Sequence, residues 1–407
     1  MVKKISKTTF FILLACLVFS AGWDRQAWIA KKCGDGICQK LEERYGSCPQ
    51  DCRKTVTKQE TPQVNESSMV KSVKVIEEDG GRVDWLHSDS NLIAFDRKGA
   101  DGYYNIWIMN TDGSGQKCLT CNNPDLPLHN GNPAWHASGE YIVFQGQDST
   151  LTIPKYEKWA THPGGGINSN LWMVNKDGTK FWKLTKIKDR MGVLHPHFSY
   201  DGTKILWAER VGVEPFFWGQ WAIKIADFNI INGEPKISNL REIRPGDMGL
   251  YETHGFSPDN KKITFSASKR GSPSQGFDEF IYDLTTGELT SLTNSPDEWD
   301  EFVQFSPDGK KIVWISSIDI PQKRDKKGKV IGGEVKFDYW IADSDGSNRE
   351  KLTHFNTPGY SEYVPSGTAP ADYSWGVDSK SIIAKSRTLP SKFDEKEQII
   401  LIQFEAQ

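Results

Sequence analysis

The sequence carries no field of charge of one sign. Its 50 Lys and Arg stand against 53 Asp and Glu, a net of -3, and the two signs are interspersed. A nucleic-acid partner, which needs a basic stripe, is therefore not expected. Long apolar runs are missing as well. The run from Phe10 to Ala21 follows Lys3, Lys4 and Lys7 and falls short of the roughly 20 residues that span a bilayer. It reads as a secretory signal over residues 1–22, cleaved near Ala21 or Gly22. Leu13-Leu14-Ala15-Cys16 also looks like a lipoprotein cleavage box, and membrane association is expected only if Cys16 is lipidated. No Gly-x-Ser-x-Gly nucleophile pattern occurs in the chain. Cysteine is scarce, 7 in 407 residues. With Cys16 set aside, Cys33, Cys38, Cys48, Cys52, Cys118 and Cys121 remain, an even set that suggests disulfides in an exported protein.

What is present begins with residues 33–52, CGDGICQKLEERYGSCPQDC. Four cysteines with almost no apolar residues between them imply a disulfide-rich module, because such a segment cannot build a core. Its connectivity stays open among three pairings. The segment resembles the short CGDGxC…CPxDC modules of exported and cell-surface proteins. Asp35, Glu42, Glu43 and Asp51 offer oxygens to Ca²⁺, although solvated turn residues are the plainer reading. Residues 53–70 are polar and aperiodic, and read as a flexible linker.

From residue 71 onward the chain repeats itself. Phe305 to Trp314 reads FSPDGKKIVW, and the same pattern returns at Trp85, Trp135, Phe198, Phe256 and Trp375. Each copy is an aromatic residue, a tight polar turn and an alternating apolar strand, which together make a hairpin. A third strand follows each copy: NIWIMN, NLWMVN, WAIKIAD, EFIYDL, FDYWIAD and QIILIQF. In four copies an Asp-Gly-type turn leads to a short fourth strand ending in Leu-Thr. Four antiparallel strands repeated six times predict an all-β, six-bladed propeller over 71–407. The last copy lacks a fourth strand, so Ser72–Glu77 is expected beside Gln398–Phe404 to close the ring.

The aromatic-Ser-Pro-Asp-Gly-Lys-Lys-Ile stretch, with Ile-Trp-Ile-Met-Asn-Thr-Asp-Gly-Ser-Gly and Leu-Thr, resembles the TolB-type (WD40-like) propeller repeat. That resemblance implies the fold and leaves function open, since such propellers serve as binding proteins, protease-gating domains and polysaccharide lyases. TolB carries an α/β domain before its propeller, where this chain has the cysteine module. Cys118-x-x-Cys121 lacks the βαβ context of a redox motif and reads as a local structural disulfide.

Long connections fall between second and third strands and between blades, so they gather at one end of the ring, where function usually sits. Tyr103, Tyr104, Tyr156, Trp159, Phe216, Phe217, Trp218, Trp299, Tyr360 and Tyr363 lie there, among acids including Glu252, Glu301 and Glu362. Such a rim suits a glycan or a cell-envelope protein. His129, His195, His197 and His254 precede aromatic anchors and are expected near the axis at this mouth. There His195, His197 and His254, with Glu252 or Glu301, are candidate ligands for a divalent cation. His195-Pro196-His197-Phe198 weakly resembles a segment of propeller-type oligogalacturonate lyases, in which a metal and a histidine support proton abstraction. His162-Pro-Gly-Gly-Gly166 reads as a surface loop. The expectation is an exported protein, periplasmic, cell-surface or secreted, that binds through this end via His129, His195, His254, Glu252, Glu301, Trp218, Trp299 and Tyr360. The rival is a metal-assisted uronate lyase with His195 or His254 as base and Arg190, Arg210, Arg241 or Arg244 neutralising the uronate.

Overall fold

The computed structural model describes residues 68–213, 218–268, 276–295, 298–324, 335–389 and 397–405. The chain divides into two units, 1–63 and 64–407, and the described residues all belong to the second. The signal, the module with Cys33, Cys38, Cys48, Cys52 and its possible Ca²⁺, and most of the linker lie outside them.

Strand β1 (Val70–Glu77) precedes the blades. Blade one holds β2 (Val83–Trp85), β3 (Leu92–Lys98), β4 (Tyr104–Asn110) and β5 (Lys117–Cys118). Blade two holds β6 (Asn130–Trp135), β7 (Tyr141–Gln147), β8 (Ser169–Asn175) and β9 (Phe181–Lys183). Blade three holds β10 (Gly192–Phe198), β11 (Lys204–Gly212), β12 (Gln220–Ile231) and β13 (Glu234–Ile243). Blade four holds β14 (Leu250–Phe256), β15 (Lys262–Ser268), β16 (Asp278–Asp283) and β17 (Leu289–Ser291). Blade five holds β18 (Asp300–Phe305), β19 (Lys311–Ser316), β20 (Asp338–Asp343) and β21 (Glu350–Lys351). Blade six holds β22 (Thr368–Trp375), β23 (Ser381–Thr388) and β24 (Gln398–Phe404), and β1 is its fourth strand. The ring is therefore closed as expected, with Val70 opposite Phe404 and Glu77 opposite Ile399. The ring begins slightly before residue 71, since Ser68 Oγ already donates to Glu362 Oε1 at 2.8 Å.

The repeat motifs have local physical causes. In the Ser-Pro-Asp-Gly turn, Ser306 Oγ donates to Asp308 Oδ1 and accepts from Lys311 N–H, and Gly309 takes a φ of 72° that only glycine adopts without strain. In the Leu-Thr motif, Thr120, Thr185, Thr293 and Thr353 each accept, on Oγ1, a backbone N–H of their blade's third strand at 2.8–2.9 Å. The threonine thus satisfies a backbone donor where a two- or three-residue strand ends. Cores form between blades. One joins Ala94, Ile106 and Leu119 of blade one to Trp135, Ile142 and Phe144 of blade two. In blade three β12 and β13 run 12 and 10 residues, joined by the tight Asn232-Gly233 turn.

Candidate functional site

Innermost strands line a propeller's axis, and five of these six are bulged at one level. Register shifts fall at Gly131/Ala134, Leu194/His197, Thr253/Gly255, Glu301/Gln304 and Pro370/Tyr373. Bulges re-aim side chains. Counting three residues back from each aromatic anchor gives Arg82, Asn132, His195, Thr253, Phe302 and Asp372. Asn132, His195 and Phe302 take φ values of 51°, 49° and 70°. For His195 and Phe302 this is a strained backbone state, held by the surrounding sheet.

These residues build a polar network across the ring. His195 Nε2 stands 3.6 Å from Asp372 Oδ1, and His195 Nδ1 stands 3.8 Å from Glu252 Oε2. Arg82 Nε lies 4.0 Å from Asp372 Oδ2, and its Nη1 lies 3.7 Å from Asp96 Oδ2. Beside it, His254 Nε2 and Ser266 Oγ are 2.6 Å apart, and Ser266 Oγ donates toward the Glu279 carboxyl at 3.1 Å. Burial sets the charge state of the network. It pushes Glu252 up to about 8, with Asp372 adding to the effect. Burial also raises Glu279, reinforced by Asp300, and Glu301, reinforced by Glu252. It holds His195 well below its ordinary value, with His197 and Arg82 adding to the effect, and holds His254 low in the same way. Burial thus favours the neutral form of Glu252 and of the His195 and His254 imidazoles at neutral pH, beside the Arg82 cation.

The expected metal set of His195, His197 and His254 does not form. The His195 and His254 rings are 5.6 Å apart between centroids, and the Phe302 ring packs 5.9 Å from one and 5.2 Å from the other. His254 Nε2 is engaged by Ser266. Among the described residues no three His, Cys, Asp or Glu side chains converge as ligands, so the donor set does not fit a bound cation. His195 and His197 lie inside β10 and His254 inside β14. His129 sits apart, held by Tyr103 and Tyr104, and burial lowers it to about 4.

The long-loop end of the axis is closed. The connection from β7 to β8 folds inward: Asn132 Nδ2 donates to Pro163 O at 3.0 Å, and a Cβ on Gly164 would meet Arg82 Nη2 at 2.5 Å. His162-Pro-Gly-Gly-Gly166, expected at the surface, is a plug, and its glycines permit the close approach. Burial pushes His162 down to about 3. The axial cavity, of about 300 Å³, opens instead among the hairpin turns and is lined by Asp84, His197, Tyr200, His254 and Gln304. His197 and His254 therefore line a cavity at the end of the ring opposite to the one expected, whereas His195 does not line it.

What the long-loop end displays is a short 3₁₀ helix, Lys155–Thr161. Tyr156 and Trp159 are 64% and 48% exposed, whereas Glu157 between them is 1% exposed. Arg190 donates to Glu157 through Nη2 at 2.6 Å and Nε at 3.0 Å, and Arg210 Nη1 lies 3.7 Å away. The hydrogen bond from Arg190 holds the Glu157 carboxyl below its ordinary value. Trp159 meets Trp218 edge to face at 5.1 Å. A Glu157→Gln chain should lose about 2 kcal/mol, less than the about 3–5 kcal/mol for breaking a fully buried pair because Arg190 is partly exposed. Urea unfolding monitored by Trp fluorescence checks this, and an unchanged midpoint would mean that the clamp contributes nothing.

The other rim residues divide. Trp299 packs between Phe277 and Phe337. Tyr360 stacks on His354 at 3.6 Å, beside Glu362, which accepts hydrogen bonds from Ser68 and Ser361. Glu252 and Glu301 are inside the axis, not on the rim. Arg190 and Arg210 engage Glu157, and Arg244 pairs with Glu242 at 2.7 Å. Phe216 and Phe217 lie outside the described residues. The predicted disulfide Cys118–Cys121 is present. Sequence reasoning missed Arg82, Asp96, Asp372 and Glu279. The column three residues before each anchor would have exposed two of them.

No family model matches the chain. It is 26% identical over 231 residues to dipeptidyl-peptidase 5 of Porphyromonas gingivalis, covering 52% of this chain and 33% of that enzyme. The Porphyromonas endodontalis protein of the same name is 25% identical over 232 residues, covering 52% and 32%. The chain thus spans about a third of the curated relatives it matches. Among solved structures, a protein described as TolB from Agrobacterium tumefaciens aligns with a TM-score of 0.49 and 16% identity, over 77% of this chain and 91% of that one. An oligogalacturonate lyase from Vibrio parahaemolyticus aligns with a TM-score of 0.43 and 12% identity, over 81% and 90%. The fold assignment rests on the strand topology and not on these scores.

Proposed function

We propose that this chain is an exported propeller that binds a glycan or a cell-envelope protein through its long-loop end, without catalysing a reaction. The observation that carries this reading is the rigid presentation of Tyr156 and Trp159 on a helix clamped from below by Glu157, Arg190 and Arg210. Exposed aromatic rings held in one pose lose little entropy on contact, which favours recognition. Export is supported by the Cys118–Cys121 disulfide. The lyase reading is disfavoured because Arg190, Arg210 and Arg244 already hold carboxylates, and His195 and His254 are buried within the axis. The peptidase activity of the curated relatives is not carried over, because the likeness covers a third of them.

The test is a defined-glycan array probed with the full chain, followed by titration of purified envelope proteins captured by it. Saturable binding that weakens about tenfold in Trp159→Ala is expected, the size of a typical aromatic anchor. Binding untouched by both Trp159→Ala and Tyr156→Ala, or turnover of any bound species, would overturn the proposal.

A further inference from the structure

The surface around the clamped helix is basic, in a chain whose net charge is -3. Two connections are stitched together there. Thr152 donates to Asp189 from N–H and Oγ1 at 3.1 and 2.6 Å, Arg190 N–H donates to Asn168 Oδ1 at 2.8 Å, and Arg190 bonds Glu157. This places Lys155 and Lys158 beside the loop that carries Lys186 and Lys188. All four lysines are exposed, and none forms an ion pair with another described residue. Of the nearby acids, Glu157 is held by two arginines and Asp148 by Lys183 at 2.7 Å, while Asp189 stays ionised on its hydrogen bonds from Thr152, so four lysines face one uncompensated carboxylate. Glu252 and Glu301, two of the acids expected at this end, lie in the axis instead.

The helix geometry orders these groups. Residues three apart eclipse in a 3₁₀ helix, at a rise of about 2 Å per residue. Tyr156 and Trp159 therefore form one row, and Lys155 and Lys158 form a row beside it, each with members on the order of 6 Å apart along the helix. Trp218 extends the aromatic row. A row of ring faces flanked by a row of ammonium groups complements a chain whose units each present an apolar ring face and an anionic substituent.

We infer that Tyr156, Trp159, Lys155, Lys158, Lys186 and Lys188 form a docking surface for an anionic polysaccharide, whose sugar rings stack on the aromatics while its carboxylate or sulfate groups meet the lysines. This rests on the binding reading and narrows it. The aromatics supply contact that survives salt, and the lysines supply attraction that salt screens.

The test uses the full chain in titrations with alginate (carboxylated), heparin (sulfated), dextran (neutral), single-stranded DNA and phosphatidylglycerol vesicles. Binding to an anionic sugar chain is expected, with alginate or heparin preference identifying the anionic group. Raising salt from 50 to 300 mM should weaken it about tenfold. Lys155→Gln/Lys158→Gln and Lys186→Gln/Lys188→Gln should each weaken it severalfold and flatten the salt dependence. Trp159→Ala should weaken it about tenfold at every salt concentration. The lysine side chains are exposed, so the two lysine variants should keep the parent's unfolding midpoint. Equal binding of dextran, preference for DNA or vesicles, or indifference to the lysine changes would overturn the inference. A neutral glycan or protein ligand that depends on Trp159 would overturn it while leaving the binding proposal standing; absence of any ligand would sink both.

Discussion

Replacing Val70–Glu77 with a Gly-Ser segment of equal length, in an otherwise intact chain, is expected to abolish the cooperative unfolding of the ring. The strand pairs with β24 from Val70 to Glu77, and Val70 and Ile76 are buried. Losing those two side chains from the core costs about 3–6 kcal/mol, against the about 5–15 kcal/mol that holds a typical domain. The loss does not stop there. Strand β24, Gln-Ile-Ile-Leu-Ile-Gln-Phe, becomes an apolar edge with unpaired backbone groups. The Ser68–Glu362 and Met69–Glu405 links, at 2.8 and 2.9 Å, lose their anchor as well. Circular dichroism should show a broadened transition at lower temperature, and light scattering should show association through the new edge. A monomer with an unchanged, sharp transition would mean that blade six stands without its fourth strand, and the closure argument would fail.

The ring was legible because its repeats carry their own chemistry. The Ser-Pro-Asp-Gly turn and the terminal Leu-Thr each satisfy a specific backbone group, so their recurrence marks strand ends whatever surrounds them. Ring closure was legible because Ser72–Glu77 alternates like a strand yet has no hairpin partner of its own, while the last repeat reads as three strands. The site was only partly legible. Trp218 and Trp159 do meet on the long-loop end, but Trp299 is absorbed between two phenylalanines, a fate that an aromatic in a loop does not advertise. His197 and His254 line the hairpin-turn end because they stand one and two residues before their aromatic anchors, near the ends of β10 and β14. Gly164 and Pro163 read as a loose turn in isolation, whereas their compactness lets them approach Arg82 and Asn132. Burial of Glu252 and Glu301 was hidden for a related reason: acids near a strand start look solvent-facing until the axis around them is seen to be closed.

That burial makes stability depend on pH in a definite direction. The folded chain holds Glu252 up to about 8, while the unfolded chain releases that proton near the ordinary carboxyl value of about 4.3. Between these values the folded state binds the extra proton, so stability falls as pH rises, by at most about 1.4 kcal/mol per pH unit for one group. Glu279 and Glu301, raised in the same way, add slopes of the same sign. The buried histidines act oppositely. His195 and His254 are held well below their ordinary value, and His197 is held near 4, so they favour folding as pH rises toward about 6.5 and contribute no slope above it. Above pH 6.5 the carboxyls stand alone, and the unfolding midpoint should decline steadily to pH 8.5. Charges facing Glu252 come from four other blades: Arg82, Asp372, His195 and Glu301. Only Arg82 is a permanent cation, and it is already shared with Asp96 and Asp372. Glu252→Gln keeps the shape of the protonated acid and removes its titration. The variant should therefore match the parent only below about pH 4 and pull ahead as pH rises, the gap widening by about 2 kcal/mol between pH 6 and pH 8.5, allowing for partial screening of a side chain that remains 16% exposed. Parallel midpoint curves for parent and variant across this window would show that Glu252 ionises freely in the fold, and that the axis is open to water where the structure closes it.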